Sequence, residues 1–412
     1  MLKKSVIILG GGAAGIFGAI RIKEKNPLSE VIILEKTQKV LSKVKISGGG
    51  RCNVTHNQFQ PKELVKNYPR GEKELLGPFH HFQPKDMIEW LEERGVSLKT
   101  EHDGRIFPSS DSSQTIIDCF LSEIKNHQIQ IHYGVEAESL EFLRDQKLKV
   151  LTNKDSYIAD TVLIATGSNP KTYEWLKKTG FSCIDLVPSL FTFDLDDHFL
   201  KDLAGTSFPY AELSISDTNF RQLGPVLITH VGLSGPCALK LSAFAALYLK
   251  EKKYHSDLLL NIDASTSFND KVKTLNEMKQ KFSAKQISTM PPFRLTKATF
   301  LIFLKRLNIS EELKWAHLKK EDLEKIAKFC NEITLKMIGK STFKDEFVTA
   351  GGIDLKTINL KTMEHKNFHR VFFAGEVLNI DGITGGFNFQ NAWTSATICA
   401  EGMVKYLSSE EY

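Results

Sequence analysis

The sequence predicts an α/β fold in which a parallel sheet is assembled from both ends of the chain around an inserted middle. An apolar run at Ser5–Leu9 is followed by a glycine-rich turn, a helical stretch at Ala13–Lys25 and a second apolar run at Val31–Leu34. At Leu190 the pattern changes to short alternating strands and then to a lysine-rich helical tract. The strand-then-glycine pattern returns at Phe372–Gly375, before a C-terminal helix. The two ends therefore resemble each other more than either resembles the middle.

Length and composition are those of an ordinary globular protein with more than one domain. The chain has 412 residues, of which 42% are hydrophobic and 25% charged, and this excludes a disordered or fibrous protein. The net charge of +5 is a small excess of 54 basic over 49 acidic residues. We therefore expect no nucleic-acid partner.

The cysteines give no sign of a metal site or of a redox-active disulfide. They are far apart and form no C-x-x-C pair, which indicates reduced thiols and a cytoplasmic location. They are Cys52, Cys119, Cys183, Cys237, Cys330 and Cys399. The apolar start, Met1–Ile20, superficially resembles a signal peptide, but Gly10, Gly11, Gly12 and Gly15 interrupt it. No stretch approaches the roughly 18 apolar residues of a membrane span, so no membrane partner is expected.

Periodicity places further elements along the chain. Helices are predicted at Asp86–Arg94 and at Ser113–Asn126, the latter capped by Ser112 or Ser113. Strands are predicted at Gln128–Val135, Lys147–Thr152, Thr161–Ile164, Leu190–Leu195, Ala211–Ile215, Val226–Thr229 and Leu258–Ile262, and a helical tract at Asp270–Met337. The predicted domains are a discontinuous nucleotide-binding domain (1–189 and 345–412), a β-rich domain (190–268) and a helical subdomain (269–344).

The glycine-rich turn fits a dinucleotide-binding fingerprint. It matches G-x-G-x-x-G between a strand and a helix, and Glu35 lies 20 residues past Gly15 at the end of the next strand. Such glycines let backbone N–H groups approach a pyrophosphate, and the carboxylate accepts hydrogen bonds from ribose hydroxyls. The candidate binding residues here are Gly10, Gly12, Ala13, Ala14, Gly15, Glu35 and Lys36. The alternative is a glycine-rich turn beside a solvated glutamate.

Two later segments favour FAD over NAD as the dinucleotide. One strand ends in Ala165-Thr166-Gly167, a tight turn where backbone can pass close to a cofactor. Another is followed by Gly375-Glu376 and leads to Gly386 at the start of the last helix. A helix N-terminus near the flavin would stabilise the negative charge of its reduced form. With no second G-x-G-x-x-G, the chain has no separate NAD(P)H domain.

Longer motifs resemble those of a known family, the BaiN/RdsA-type bacterial flavoproteins, which include enzymes described as aminoacetone oxidases. The shared runs are KISGGGRCNVT (45–55), GRIFP (104–108), HVGLSGP (230–236), TAGG (349–352) and GEVLNIDGITGGFNFQ (375–390). The match spans nearly the whole chain, with departures at Asn379 and Asn391. The resemblance implies a Rossmann-like, two-part FAD-binding domain of the two-dinucleotide-binding-domain type, with an inserted β-barrel and helical subdomain.

The same resemblance implies which residues hold the cofactor. Those that would wrap the pyrophosphate and approach the isoalloxazine are Lys43, Ser47, Gly48, Gly49, Gly50, Arg51, Cys52 and Asn53. Val135 would meet the adenine, and Gly386, Phe387 and Asn388 would lie near the flavin edge. Asp381 is a further candidate for binding the cofactor. Arg51 has a second interpretation as part of a surface ion pair.

The expected function is FAD-dependent oxidoreduction, with a hydride passing between flavin and a small organic substrate. Cys52 and His230 are the catalytic candidates, against the alternatives of a buried packing thiol and a helix-start loop. Whether the enzyme is an oxidase, dehydrogenase or reductase stays open, and NAD(P)H is one possible transient electron donor. The alternative is a flavin-containing RNA-modification or redox-sensing module. We expect lysines of the helical tract to alternate with acids, which disfavours it.

Overall fold

The computed structural model describes residues 3–196, 199–341 and 348–408. The chain divides into two units, Met1–Pro188 with Lys344–Tyr412, and Ser189–Phe343. The boundary predicted between residues 344 and 345 lies outside the described residues.

The first unit begins with alternating strands and helices, in the order strand, helix, strand, helix, strand, and the second unit begins with four strands and contains two more. The strands are β1 (Ser5–Leu9), β2 (Glu30–Glu35), β3 (Thr55–His56), β4 (Leu98–Thr100), β5 (Arg105–Pro108), β6 (Gln130–Tyr133), β7 (Ala137–Phe142), β8 (Leu148–Thr152), β9 (Ser156–Ala159), β10 (Thr161–Ile164), β11 (Cys183–Ser189), β12 (Thr192–Leu195), β13 (Ser207–Ile215), β14 (Arg221–Ile228), β15 (Gly232–Ser234), β16 (Ser256–Asn261), β17 (Ile333–Ser341), β18 (Val348–Ile353), β19 (Ile358–Asn359), β20 (Glu364–His365) and β21 (Val371–Phe373). The α-helices are α1 (Ala13–Lys25), α2 (Ser42–Gly50), α3 (Pro61–Leu64), α4 (Leu76–His81), α5 (Pro84–Glu92), α6 (Ser113–Asn126), α7 (Pro170–Thr179), α8 (Pro236–Phe244), α9 (Ala246–Glu251), α10 (Phe268–Lys281), α11 (Lys297–Arg306), α12 (Lys320–Asn331) and α13 (Phe387–Ser408).

The first unit is built on a sheet that contains strands from both ends of the chain. Its order is β19-β20-β21-β10-β1-β2-β6, and the five strands from β21 to β6 are parallel. β21 pairs with β10 in the register Val162↔Val371. The central strands are continuous apolar runs with both faces buried, the pattern typical of parallel sheets. The N-terminal and C-terminal segments therefore form one sheet.

The C-terminal helix α13 is packed into the same unit against α1. Its side chains at helical spacing, including Trp393, Ala396, Ala400 and Met403, have no solvent exposure. The ring of Trp393 packs edge-on against that of Phe17 on α1, with centroids 5.4 Å apart. Burial of this apolar stripe stabilises the helix far more than its intrinsic propensity does.

The second unit contains a closed six-stranded barrel in the order β12-β15-β14-β13-β16-β17. The helices α10, α11 and α12 share one hydrophobic core with the barrel, to which they contribute Leu275, Phe300 and Ile326. The helical tract predicted at Asp270–Met337 is wrong from Ile333, where β17 begins and pairs with both β16 and β12. In β17 buried and exposed residues alternate with a period of two, as in a half-buried strand.

Candidate cofactor site

The turn after β1 and the first turn of α1 each contain one position that only glycine can occupy. Gly10 has φ +104°, and a Cβ there would lie 2.6 Å from the carbonyl oxygen of Ala165. A Cβ on Gly15 would lie 1.9 Å from the carbonyl oxygen of Gly10. The N-cap of α1 is Gly12, which makes no side-chain cap, and the first turn of the helix has no acidic residue. Its N-terminus can therefore receive an anion.

Three glycines border open space where a dinucleotide would need close approach to backbone. A Cβ added to Gly12, Gly49 or Gly50 would meet no atom within 4 Å. Gly49 and Gly50 lie where α2 is interrupted, since Ser47 leaves helical geometry and the three glycines 48–50 have positive φ. The backbone at these three glycines is therefore open to close approach by a ligand, as a dinucleotide requires. Gly48 is packed instead, with Phe107 as its neighbour.

The Glu35 carboxylate lies at the end of β2 and accepts a hydrogen bond from the turn between β1 and α1. Its Oε2 accepts a hydrogen bond from the N–H of Gly11 at 2.8 Å, and its Oε1 accepts one from Thr37 at 2.8 Å. The N–H of Val135 donates to the Glu35 carbonyl oxygen at 3.0 Å, so Val135 lies beside this strand end. Lys36 is exposed. The structure thus brings together the residues predicted for the adenosine half.

Asn53, which follows the glycines at 48–50, contacts the residue before the start of α13. With its amide oriented to satisfy its neighbours, Asn53 Oδ1 accepts from the Gly386 N–H at 2.9 Å and Nδ2 donates to the Thr55 carbonyl at 2.9 Å. Gly386 has φ +91°, and a Cβ there would lie 2.5 Å from that same Thr55 oxygen. Asn53 and Gly386, which are 333 residues apart in sequence, are therefore in direct contact.

Further hydrogen bonds fasten the first turns of α13. Trp393 Nε1 donates to the Val54 carbonyl at 3.0 Å, and Thr55 Oγ1 donates to Gln390 Oε1 at 2.6 Å. Asn388 binds both the N–H and the carbonyl of Gly382, at 2.8 and 2.9 Å. These hydrogen bonds hold the loop that precedes the helix.

Lys43 and Glu376 meet in an ion pair on the strand-end side of the sheet. Lys43 Nζ lies 2.6 Å from Glu376 Oε2, and a Cβ on Gly167 would be 3.5 Å from that oxygen. Within the described part of the chain, the buried Thr166 Oγ1 has no hydrogen-bond partner. Gly375 packs on Ala14, whose Cβ would be 2.9 Å from an added Cβ. All three predicted strand-end turns therefore converge.

Two predicted cofactor residues have protein partners. The Asp381 side chain is fully buried and forms an ion pair with Arg70. Arg51 forms ion pairs with Glu101 at 2.6 Å and Asp111 at 3.5 Å. The pair between Asp381 and Arg70 holds the loop before α13. The two pairs made by Arg51 match its interpretation as part of a surface ion pair.

The two candidate catalytic residues differ in their surroundings. Cys52 is fully buried, and burial raises the pKa of its thiol to about 12, so the sulfur stays protonated at neutral pH. His230 lies in the second unit and is exposed in the turn between β14 and β15. The helix predicted after it begins at Pro236 with Gly235 as the N-cap, and Ser234 belongs to β15.

His56 is a titratable residue of this region that the sequence reasoning missed. Its ring stacks on Phe387 with centroids 4.8 Å apart and an interplanar angle of 23°. Nε2 lies 3.1 Å from the carbonyl of Asp103, whereas the buried Nδ1 has no partner among the described residues. Burial lowers the pKa of this imidazole, which favours the neutral form. His56 directly follows the motif KISGGGRCNVT, and this position in the sequence could have identified it as a candidate site residue.

Comparison with known proteins identifies the family. Residues 4–402 match the family described as HI0933-like protein Rossmann domain. The chain belongs to the HI0933-like family. Its fold is accordingly that of a Rossmann-domain flavoprotein, and the chain is an FAD-dependent oxidoreductase, as the sequence predicted.

Relatives of this HI0933-like chain carry two different names. A ribosomal RNA dihydrouridine synthase of Haemophilus influenzae (strain ATCC 51907 / DSM 11121 / KW20 / Rd) is 27% identical over 96% of this chain and 97% of its own length. Another protein of that name, from Escherichia coli (strain K12), is 26% identical over 99% of this chain and 100% of its length. A 3-dehydro-bile acid delta(4,6)-reductase of Clostridium scindens is 25% identical over 94% of this chain and 96% of its length.

Solved structures support the fold alone. The open conformation of a flavocytochrome c3 fumarate reductase superposes with a TM-score of 0.51 at 16% identity, over 98% of this chain and 79% of the other. A 3-ketosteroid delta1-dehydrogenase from Sterolibacterium denitrificans gives 0.50 at 10% identity, over 98% and 100%. In the described part of the HI0933-like chain, every helix is too short or too polar to cross a membrane.

Proposed function

We propose that FAD binds along the line of backbone that runs from Glu35 over the N-terminus of α1 to Gly49, Gly50 and Gly386. The open space beside three glycines and the uncapped first turn of α1 support this assignment. Glu35 would bind the ribose, and the N–H groups at the start of α1 would bind the pyrophosphate. When bound, the flavin supplies two-electron chemistry as a hydride donor or acceptor.

The reaction that we propose is reduction of a carbon–carbon double bond conjugated to a carbonyl group. The names of the relatives support this proposal, because both a dihydrouridine synthase and a delta(4,6)-reductase saturate such a bond. Bound reduced flavin would supply the hydride for the β-carbon, and the proton for the α-carbon would come from solvent or from a protein group. NAD(P)H is the proposed source of the two electrons that reduce the flavin.

His56 is the residue of this chain best placed to assist. Its neutral ring stacks on Phe387, one residue after the Gly386 junction, and its buried Nδ1 can accept a hydrogen bond. The Nε2–H donates to the Asp103 carbonyl and thereby fixes the tautomer. We assign His56 to positioning Phe387 at the start of α13 through this stacked, hydrogen-bonded ring.

Two substrate classes fit this chemistry, a small conjugated ketone and a uracil base in RNA. The small ketone agrees with the small organic substrate that the sequence analysis predicts. The second is favoured by one observation, a segment of the second unit that contains basic residues and no acidic residue. Between Glu277 and Glu311 the chain has seven basic residues and no acidic one. The expectation that lysines alternate with acids is wrong over this run.

Anaerobic half-reactions test the proposed function. Holoenzyme is mixed with NADH or NADPH while the flavin absorbance is followed, and then with a steroid enone or with uridine-containing RNA. We expect one nicotinamide to bleach the flavin and one of the two acceptors to restore its colour, with a product two hydrogens heavier. Reoxidation by oxygen alone, with neither acceptor changed, would contradict a reductase.

A further inference from the structure

The positive charge of the chain is concentrated in one segment of the second unit. Residues 189–343 contain 22 basic and 17 acidic residues, whereas the rest of the chain has 32 of each. The whole excess of +5 thus belongs to this unit. Within it, residues 278–310, here called the basic segment, contain seven basic residues and none that is acidic.

Six of the seven basic side chains in the basic segment are exposed. They are Lys281, Lys285, Arg294, Lys297, Lys305 and Arg306. In the described portion of the protein, none of these six lies within 4.0 Å of a carboxylate. The seventh, Lys279, donates to the Leu318 carbonyl at 2.6 Å.

Helix stability explains only part of this arrangement. Lys281 is in the last turn of α10, and Lys305 and Arg306 are in the last turn of α11, where cations interact favourably with the helix dipole. Lys297 is the first residue of α11, where the same dipole disfavours a positive charge. Lys285 and Arg294 lie outside the helices. These three charges require another explanation.

Aromatic rings lie among the charges. The Nζ atoms of Lys281 and Lys285 lie 5.4 and 5.6 Å from the centroid of the Phe282 ring, which is partly buried. Lys297 and Lys305 are eight residues apart on α11 and therefore share a face. Cations beside an aromatic ring are the arrangement by which proteins bind the phosphates and bases of single-stranded nucleic acid.

A membrane surface fits this segment less well than RNA does. Interfacial helices bury large apolar side chains between lipid headgroups. Among the described residues of the basic segment, no large hydrophobic side chain is exposed, whereas Phe268 and Ile338, on either side of the segment in sequence, are. The segment thus offers charge without an apolar anchor.

We infer that the basic segment is a binding surface for the phosphate backbone of RNA. This inference rests on the RNA form of the proposed function. The lysines and arginines neutralise phosphates, and the Phe282 ring receives a base. Binding of this kind is independent of sequence and weakens as salt rises, because bound counterions are released.

The test uses full-length holoenzyme and a fluorescein-labelled single-stranded RNA, with fluorescence anisotropy measured over a series of salt concentrations. The variant replaces four lysines with neutral residues, Lys281→Gln, Lys285→Gln, Lys297→Gln and Lys305→Gln. The matched control makes the same change at four exposed lysines of the first unit, Lys62, Lys73, Lys125 and Lys361. Since each phosphate contact contributes about 0.7 to the salt slope, the variant should lose about 3 from the slope. We expect at least about a tenfold loss of affinity in the variant and no change in the control.

The outcomes separate the surface from the reaction. Equal RNA affinity of variant and control would overturn the inference, as would binding of wild type to anionic phospholipid vesicles but not to RNA. RNA binding through the segment with no reduction of uridines would leave the surface standing and reject the RNA reaction. Uridine reduction that the four-lysine variant performs at the wild-type KM would support the reaction and reject the surface. FAD content, measured on every variant, shows that the cofactor site is intact.

Discussion

Lys43 Nζ lies 2.6 Å from Glu376 Oε2, although 333 residues separate the two in sequence. Like the contact between Asn53 and Gly386, this pair joins the start of the chain to its end within one site. The dinucleotide fingerprint at Gly10 is therefore only half of the proposed cofactor site. The first prediction follows from that division.

A chain truncated before Phe343 should bind no flavin even though the whole fingerprint at Gly10–Gly15 remains. Truncation removes β21 from the parallel sheet and α13 from its position against α1. It also exposes the core residues that Trp393 covers. Absorbance near the flavin bands after incubation with FAD provides the measurement. Normal FAD affinity of the truncated chain would reject the two-ended site.

The second prediction concerns the ribose contact. The purified protein should be yellow and release FAD rather than FMN on denaturation. Glu35→Ala should weaken FAD binding by about 1.5 to 3 kcal/mol, because it removes a charged acceptor of hydrogen bonds. This loss corresponds to an increase of roughly 10- to 150-fold in Kd. Because Glu35 also binds Gly11 and Thr37, Glu35→Gln is the control that keeps one acceptor oxygen. Titration with FAD measures both, and equal affinity of Glu35→Ala and wild type would contradict the ribose role.

The sequence predicts the first βαβ unit well because its boundaries are marked by local chemistry. Glycines begin α1 at Ala13, and Asn26-Pro27 ends it at Lys25, the bounds found in the structure. Strand β17 was missed because its lysines resemble those of the preceding helices, while its period of two extends over few residues. Local pattern could not reveal the partners of Arg51 and Asp381, since both partners are distant in sequence.

The third prediction concerns Cys52. With a pKa of about 12 and no exposed surface, its thiol should resist iodoacetamide at pH 8 in the folded protein. The half-buried Cys119 and Cys183 have pKa values raised to about 11 and should be modified first. Mass spectrometry of peptides identifies the modified cysteines. Rapid modification of Cys52, or loss of flavin reduction in Cys52→Ala with FAD still bound, would restore it as a catalytic thiol.

The fourth prediction concerns His365 in β20, whose side chain is buried beside Phe181 and Phe368. Burial, and then the charge of His369, lower its pKa from 6.5 to about 4. As pH falls, His365 is therefore protonated in the unfolded chain before it is protonated in the folded chain. The stability that the neutral ring contributes is complete above pH 6.5 and is lost progressively toward pH 4, by about 3 kcal/mol.

Urea unfolding at a series of pH values measures this loss. His365→Asn keeps an acceptor for the N–H groups of Asn367 and Phe368 but does not titrate, so its unfolding free energy should fall less steeply between pH 6.5 and 4. The exposed His369 serves as a control, and His369→Gln should retain most of the wild-type slope. Identical slopes for His365→Asn and wild type would show that His365 is not the titrating group.

The last prediction uses two glycines with the same backbone geometry. Gly386 and Gly205 both have φ +91°, but a Cβ on Gly386 would lie 2.5 Å from the Thr55 carbonyl oxygen, whereas one on Gly205 would meet nothing within 4 Å. Gly205→Val therefore costs only the backbone strain of a β-branched residue at positive φ. Gly386→Val adds a collision that must separate α13 from the segment around Asn53.

We expect Gly386→Val to lose FAD binding while most of its helical circular dichroism remains, because α13 is held along its length by buried residues such as Trp393 and Met403. Gly205→Val should bind FAD as wild type does, at a somewhat lower melting temperature. Comparing the two removes backbone strain as an explanation, since φ is the same at both sites. If Gly386→Val retained FAD with unchanged affinity and flavin spectrum, the contact between Gly386 and Thr55 would not form part of the cofactor site, and FAD would have to bind away from the start of α13.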